Sequence, residues 1–186
     1  MGVWKVGVGV CLFLLICGSV PALGAAPSAF TMSAGQHNVL DGGDGSTAGA
    51  EGIFAPRKFH FLPKRVPALA PVGGLLVASR GSLYVYGGFR LDIPLGERWV
   101  ATPGFAAGIF HRGSGQNLGG LLEFRSSIEL AYQLSDSTRL GLSLSHISNG
   151  GLYDNNPGTE SLVLVWSAGF KGHVLSSRPG GDTHGR

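Results

Sequence analysis

Leu122-Glu-Phe124-Arg-Ser126-Ser-Ile128-Glu-Leu130-Ala-Tyr132-Gln-Leu134 alternates with period two. Its even positions are apolar, Ser126 apart, and its odd positions hold Glu123, Arg125, Ser127, Glu129 and Gln133. Successive side chains of a strand point to opposite faces, so this stretch is a β-strand with one apolar and one polar face. The pattern recurs in Arg139-Leu140-Gly-Leu142-Ser-Leu144, in Leu83-Tyr-Val85-Tyr-Gly87-Gly-Phe89-Arg-Leu91-Asp and in Ser161-Leu162-Val-Leu164-Val-Trp166. Eight strands are expected, over 28–36, 51–61, 68–79, 81–93, 98–111, 119–134, 138–148 and 160–170. Pro56, Pro63, Pro67 and Pro71 interrupt or border the second and third, because proline cannot donate to a ladder. Turn residues such as Pro94-Leu-Gly-Glu97 and Ser135-Asp-Ser137 separate the later ones. The chain reads as all-β.

Which face lies inside separates two architectures. A soluble, lipocalin-like barrel turns its apolar face inward and shows Glu123, Arg125 and Glu129 to water. A membrane barrel turns the apolar face to lipid and pairs those charges in its lumen. Composition favours the second: only 13% of the 186 residues are charged, about half the usual share of a soluble domain, roughly 25%. The 32 glycines leave room in a crowded lumen for Arg90, Arg125 and Arg139. The fold expected is therefore an eight-stranded antiparallel transmembrane β-barrel over residues 25–170. After residue 24 no apolar run reaches the 18 residues of a membrane helix. A mean hydropathy of +0.22 argues against disorder. A net charge of +3 with scattered basic residues argues against a nucleic-acid partner.

The N-terminus supports export. Lys5 precedes an uncharged run from Val6 through Cys17, and small residues follow to Gly24 and Ala26, the pattern of a secretory signal peptide. Residues 1–24 are expected to be removed, Pro27 favouring cleavage after Gly24 over Ala26. Cys11 and Cys17 both lie in that segment, so the mature chain has no disulfide. Lipid attachment at Cys17 is disfavoured by the bulk of Ile16. With both termini periplasmic, odd strands run outward, 41–49 and 111–119 form surface loops, and 135–137 forms a tight periplasmic turn.

One constellation interrupts the apolar face. Strand seven ends in His146-Ile-Ser148-Asn149-Gly150-Gly151, and strand eight opens after Asn155-Asn156-Pro157-Gly158-Thr159-Glu160. Parity puts His146 and Ser148 on the side of Leu140, Leu142 and Leu144, and Glu160 on the side of Leu162, Leu164 and Trp166. Three polar residues thus share the lipid-facing side of two neighbouring strands near their outer end. A hydroxyl, an imidazole and a carboxylate so grouped are the parts of a hydrolase triad. The same residues also suit a strand end at the headgroup level, where Asn-Pro-Gly is an ordinary turn; spacing alone leaves both readings open. The six histidines, at 37, 60, 111, 146, 173 and 184, lack metal-ligand spacing, and no phosphate-binding glycine loop is present, so neither a metal nor an organic cofactor is expected.

The motif His146-x-Ser148-Asn149, followed by the Asn-rich turn and Glu160, resembles the outer-membrane lipid A 3-O-deacylases of the acyloxyacyl hydrolase family. Leu121-Leu-Glu-Phe-Arg-Ser-Ser-Ile-Glu-Leu130 is also similar. The likeness spans about 75–170 and is densest over 144–160. It implies an outer-membrane esterase acting on lipid A, with Ser148 as nucleophile, His146 as general base and Glu160 orienting the imidazole. It also implies Gly150, through its backbone, and Asn156, through its side chain, as oxyanion donors. A non-catalytic barrel with a structural or binding role, and an esterase acting on phospholipids, are the competing readings. Residues 37–66 match nothing in the family pattern. The polar segment 171–186 after Phe170 departs from the aromatic ending usual in such barrels, and is expected to be a disordered tail.

Overall fold

A computed structural model describes residues 26–170, apart from 41, 43, 44, 60, 61 and 64–66. The expected signal peptide and polar tail lie outside the described residues. Eight strands form one antiparallel sheet: β1 (Ala29–His37), β2 (Gly45–Ile53), β3 (Ala70–Ala78), β4 (Ser82–Arg90), β5 (Trp99–His111), β6 (Leu122–Ser135), β7 (Thr138–Ser148) and β8 (Thr159–Gly169). Each pairs with its sequence neighbours, and β1 pairs with β8. The sheet is thus a closed eight-stranded barrel, with no free edge to protect. A three-residue arm, Ile93–Leu95, pairs with the start of β5.

Alternation decides what faces where. Along β7, Leu140, Leu142 and Leu144 are exposed, while Arg139, Gly141, Ser143 and Ser145 are buried. The same holds on β8, with Leu162, Leu164 and Trp166 outside and Val163, Val165 and Ser167 inside. Large apolar side chains therefore coat the outer wall, an arrangement costly in water and required in lipid. At the end holding both described termini, aromatics gather as in a membrane interface. Trp99 meets Tyr132 edge-on with ring centroids 5.2 Å apart, and Phe30 meets Trp166 at 5.4 Å and Phe170 at 5.7 Å.

The lumen is filled rather than open. Arg90, itself buried, lies 3.4 Å from carboxylates of both Glu51 and Glu129, and 3.6 Å from Asp92. Arg139 pairs with Asp92 and donates to Gln133 at 2.7 Å. Arg125 instead lies over the Tyr86 ring at 5.3 Å, and Tyr86 donates to Glu51. Glycine makes the space: a Cβ at Gly74 would stand 2.7 Å from the Tyr86 hydroxyl.

The clearest correction concerns the second strand. It runs over Gly45–Ile53 rather than 51–61, so much of the expected 41–49 surface loop is strand. Gly-Ser-Thr-Ala-Gly-Ala-Glu-Gly-Ile has the composition of a loop, because its outward positions are Ser46, Ala48, Ala50 and Gly52. Pairing with β1 on one side and β3 on the other makes it a strand. The proline-rich stretch 54–69 is then the connection at the opposite end. The other boundaries shift by up to three residues, and the 136–137 turn is as expected.

Candidate active site

β7 and β8 bring the outward polar residues together in register. His146 stands directly across from Glu160, and His146 Nδ1 lies 2.7 Å from Glu160 Oε1. The imidazole side chain is 45% exposed and the carboxylate 18%, so the pair faces outward with its acid half covered. Ser148 is two residues beyond His146 on the same face, half-buried and paired with Phe124 of β6. Among the described contacts, Ser148 Oγ is not hydrogen-bonded to His146; such bonds often tighten only around substrate. On the other flank of His146 stands Ser126, exposed and small, leaving room beside the imidazole. Its departure from the apolar pattern of β6 is the sequence signal for that gap.

The turn after β7 is built on Asn149, which is fully buried. Its Nδ2 donates to the carbonyls of Leu118 and Asn155, each at 2.7 Å, and its Oδ1 accepts from Gly151 N–H at 2.9 Å. Its own N–H donates to Asn156 Oδ1 at 3.0 Å. One amide thus ties the β5–β6 loop to the β7–β8 loop. Because Asn156 uses its oxygen on that bond, its Nδ2 is the end available as a donor. Of the two glycines that follow, Gly151 has its N–H committed to Asn149, whereas Gly150, at φ 63°, sits in the left-handed region beside Phe124.

Gly158 shapes the surroundings of His146, which sequence reasoning passed over by taking it as a plain turn residue. Its φ is 72°, and a Cβ there would lie 2.5 Å from His146 Cε1 and 3.2 Å from Nε2. The imidazole therefore packs on the bare backbone of the turn. Gln116 holds that turn through Nε2, which donates to the Gly158 carbonyl at 3.1 Å. Glu160 is braced from the β1–β2 side, its carbonyl accepting from Asn38 N–H at 2.6 Å and Val39 N–H at 3.3 Å. Among the described residues no group of three or more His, Cys, Asp or Glu is placed to hold a metal.

An imidazole with one nitrogen on a carboxylate can accept a proton at the other, and a hydroxyl on the same face is the natural source. Residues 80–168 match the family model described as lipid A 3-O-deacylase (PagL). A lipid A deacylase PagL of Bordetella bronchiseptica is 34% identical over 77 residues, which cover 40% of this chain and 43% of that protein. The chain thus spans less than half the length of the curated relative it matches. The crystal structure of the outer membrane enzyme PagL superposes with a TM-score of 0.59 at 21% identity, over 76% of this chain and 99% of that one. A structure from de novo design of transmembrane β-barrels matches at 0.50 and 9% identity, over 78% and 98%. These two likenesses are of fold. Residues 80–168, from just before β4 to the end of β8, thus resemble the lipid A 3-O-deacylase (PagL) family, and the barrel that carries them has the fold of the outer membrane enzyme PagL.

Proposed function

We propose that this protein is an outer-membrane serine esterase that hydrolyses the ester-linked 3-hydroxyacyl chain of lipid A in the outer leaflet. The observation that carries the reading is the His146–Glu160 pair on the lipid-facing wall, with Ser148 on the same face. The penalty for charge on the lipid face falls to about 0–1 kcal/mol near the interface. A strand-end position at headgroup level can therefore hold a carboxylate, and water for hydrolysis is at hand. Export by a signal peptide in residues 1–24 fits this location.

Ser148 Oγ attacks the ester carbonyl while His146 Nε2 takes its proton. Glu160 holds the proton on Nδ1, fixing the tautomer, and stabilises the imidazolium. The tetrahedral oxyanion meets Gly150 N–H and Asn156 Nδ2, donors typically contributing a few kcal/mol each. His146 then protonates the departing glucosamine oxygen, leaving an acyl group on Ser148. A water deprotonated by His146 releases the 3-hydroxy fatty acid and restores the serine. Because the substrate lies beside the barrel in the leaflet, no tunnel is required.

The test follows the mass of lipid A with wild-type and Ser148→Ala protein. Wild type is expected to release the 3-hydroxy fatty acid, and the variant to lose at least about a thousandfold in rate. Equal release by the variant overturns the nucleophile. Loss of release in Ser126→Ala alone moves that role to the other flank of His146. Release from phospholipid vesicles but not from lipid A overturns the substrate.

A further inference from the structure

β1 and β8 close the barrel, and at the outer end of that seam the ladder stops short of the site. Its last pair is His37 with Ser161, so Thr159 and Glu160, the first two residues of β8, lie beyond it. Strand ends fray unless something further holds them. Here Asn38, Val39 and His37 do so. The N–H groups of Asn38 and Val39 both donate to the Glu160 carbonyl, at 2.6 Å and 3.3 Å. Asn38 stands at φ 59°, a left-handed conformation that asparagine tolerates and that turns the chain across the end of β8.

The imidazole of His37 acts from the other face. It points into the lumen, as do Thr31, Ser33 and Gly35 before it on β1. Thr159 and Ser161, both buried, point there too, on either side of the outward Glu160. His37 Nδ1 lies 3.2 Å from Ser161 Oγ, and Nε2 lies 3.4 Å from Thr159 Oγ1. One ring therefore spans the residues immediately before and after Glu160. A hydroxyl both donates and accepts, so both contacts are met whichever ring nitrogen carries the proton.

We propose that His37 is a positioning residue for the triad: by holding Thr159 and Ser161 from inside, it fixes the direction in which Glu160 presents its carboxylate outside. The role rests on the esterase reading above. Adjacent side chains of a strand leave opposite faces of one stiff backbone. A tilt over 159–161 therefore swings the Glu160 carboxylate away from His146 Nδ1, 2.7 Å from it. Misplacement of a catalytic group by about 1 Å can cost about a hundredfold in rate. Closure of the seam does not itself call for an imidazole, because backbone pairing joins β1 to β8 from Ala29 through His37.

The test uses the full-length protein in detergent micelles and two readouts, lipid A turnover and the proton resonance of His146 Nδ1–H, which a bond to a carboxylate moves downfield. His37→Phe keeps a ring and loses both nitrogens; kcat is expected to fall about tenfold with KM within about twofold, and the resonance to vanish. His37→Gln, which keeps a donor and an acceptor, should stay within about threefold of wild type and retain the resonance. In a Glu160→Ala background, with no carboxylate left to place, His37→Phe should cost nothing further. An equal loss in both backgrounds, full activity in His37→Phe, no recovery in His37→Gln, or a resonance that His37→Phe leaves unchanged overturns the proposal. If wild type hydrolyses neither lipid A nor phospholipid, the esterase reading fails and the resonance comparison alone decides whether His37 places Glu160. Should His37→Phe fail to fold, judged by β-sheet circular dichroism, the double variant Thr159→Val/Ser161→Ala removes the partners instead and faces the same outcomes.

Discussion

β7 carries two cationic or potentially cationic side chains with opposite surroundings. Arg139, near one end, points into the lumen and pairs with Asp92; His146, near the other, points to the outer wall and pairs with Glu160. The strand is regular between them, so an odd against an even position is the whole difference. Inside, Arg90 alone reaches three carboxylates and Arg139 pairs with Asp92, although Glu123 is buried with neither carboxylate oxygen hydrogen-bonded. Such pairs fill a polar lumen and hold strands together. Outside, the His146–Glu160 pair interrupts an apolar face, gains nothing from lipid, and leaves one imidazole nitrogen uncommitted to the carboxylate. Position on the barrel wall, more than residue type, separates structural charge from chemical charge.

That contrast can be broken from either side. The largest effect is expected from Glu160→Gln, which keeps shape but removes the charge that holds the imidazole: deacylation should fall about a thousandfold or more with the thermal stability of the barrel little changed. A large drop in melting temperature would instead make the outer pair structural. Next comes Arg90→Met, which strands buried carboxylates and should cost about 3–5 kcal/mol in urea unfolding, while the folded fraction keeps its turnover rate. Gly158→Ala should slow turnover by about a hundredfold, because the new methyl meets the His146 ring and misplaces it; an unaltered rate would show that the ring has slack. The smallest effect concerns acid. Burial alone would raise the Asp92 carboxyl, but Arg90 and Arg139 outweigh it and hold it below the usual range. Its folded-state value is depressed, so its contribution is present above the unfolded value of about 3.9 and fades as pH falls through the lower folded one. Asp92→Asn should flatten the stability profile in that acid window and lower stability by a constant amount near neutrality.

Legibility in the sequence followed the strength of alternation. β6, β7 and β8 have large apolar side chains at most outward positions, and their spans are close to those expected. His146, Ser148 and Glu160 were readable as one group because they lie on those strands, where parity can be counted without error. β2 was not, since alanine, serine and glycine outside and threonine and glycine inside give no contrast to count. The braces of the site escaped for another reason. Asn149, Gln116 and Gly158 act through side-chain hydrogen bonds or bare backbone between loops, and no local pattern encodes a contact of that kind.

The sequence by itself determined that strands would form, which of their faces is apolar and which polar residues break that face, because a two-residue period is a local property of the backbone. Only the tertiary structure decided that β1 closes on β8, that His146 faces Glu160 in register, and that one buried asparagine joins two loops. Register and closure depend on pairing between strands distant in the chain, and their energies are shared over the whole ladder rather than written in any one segment.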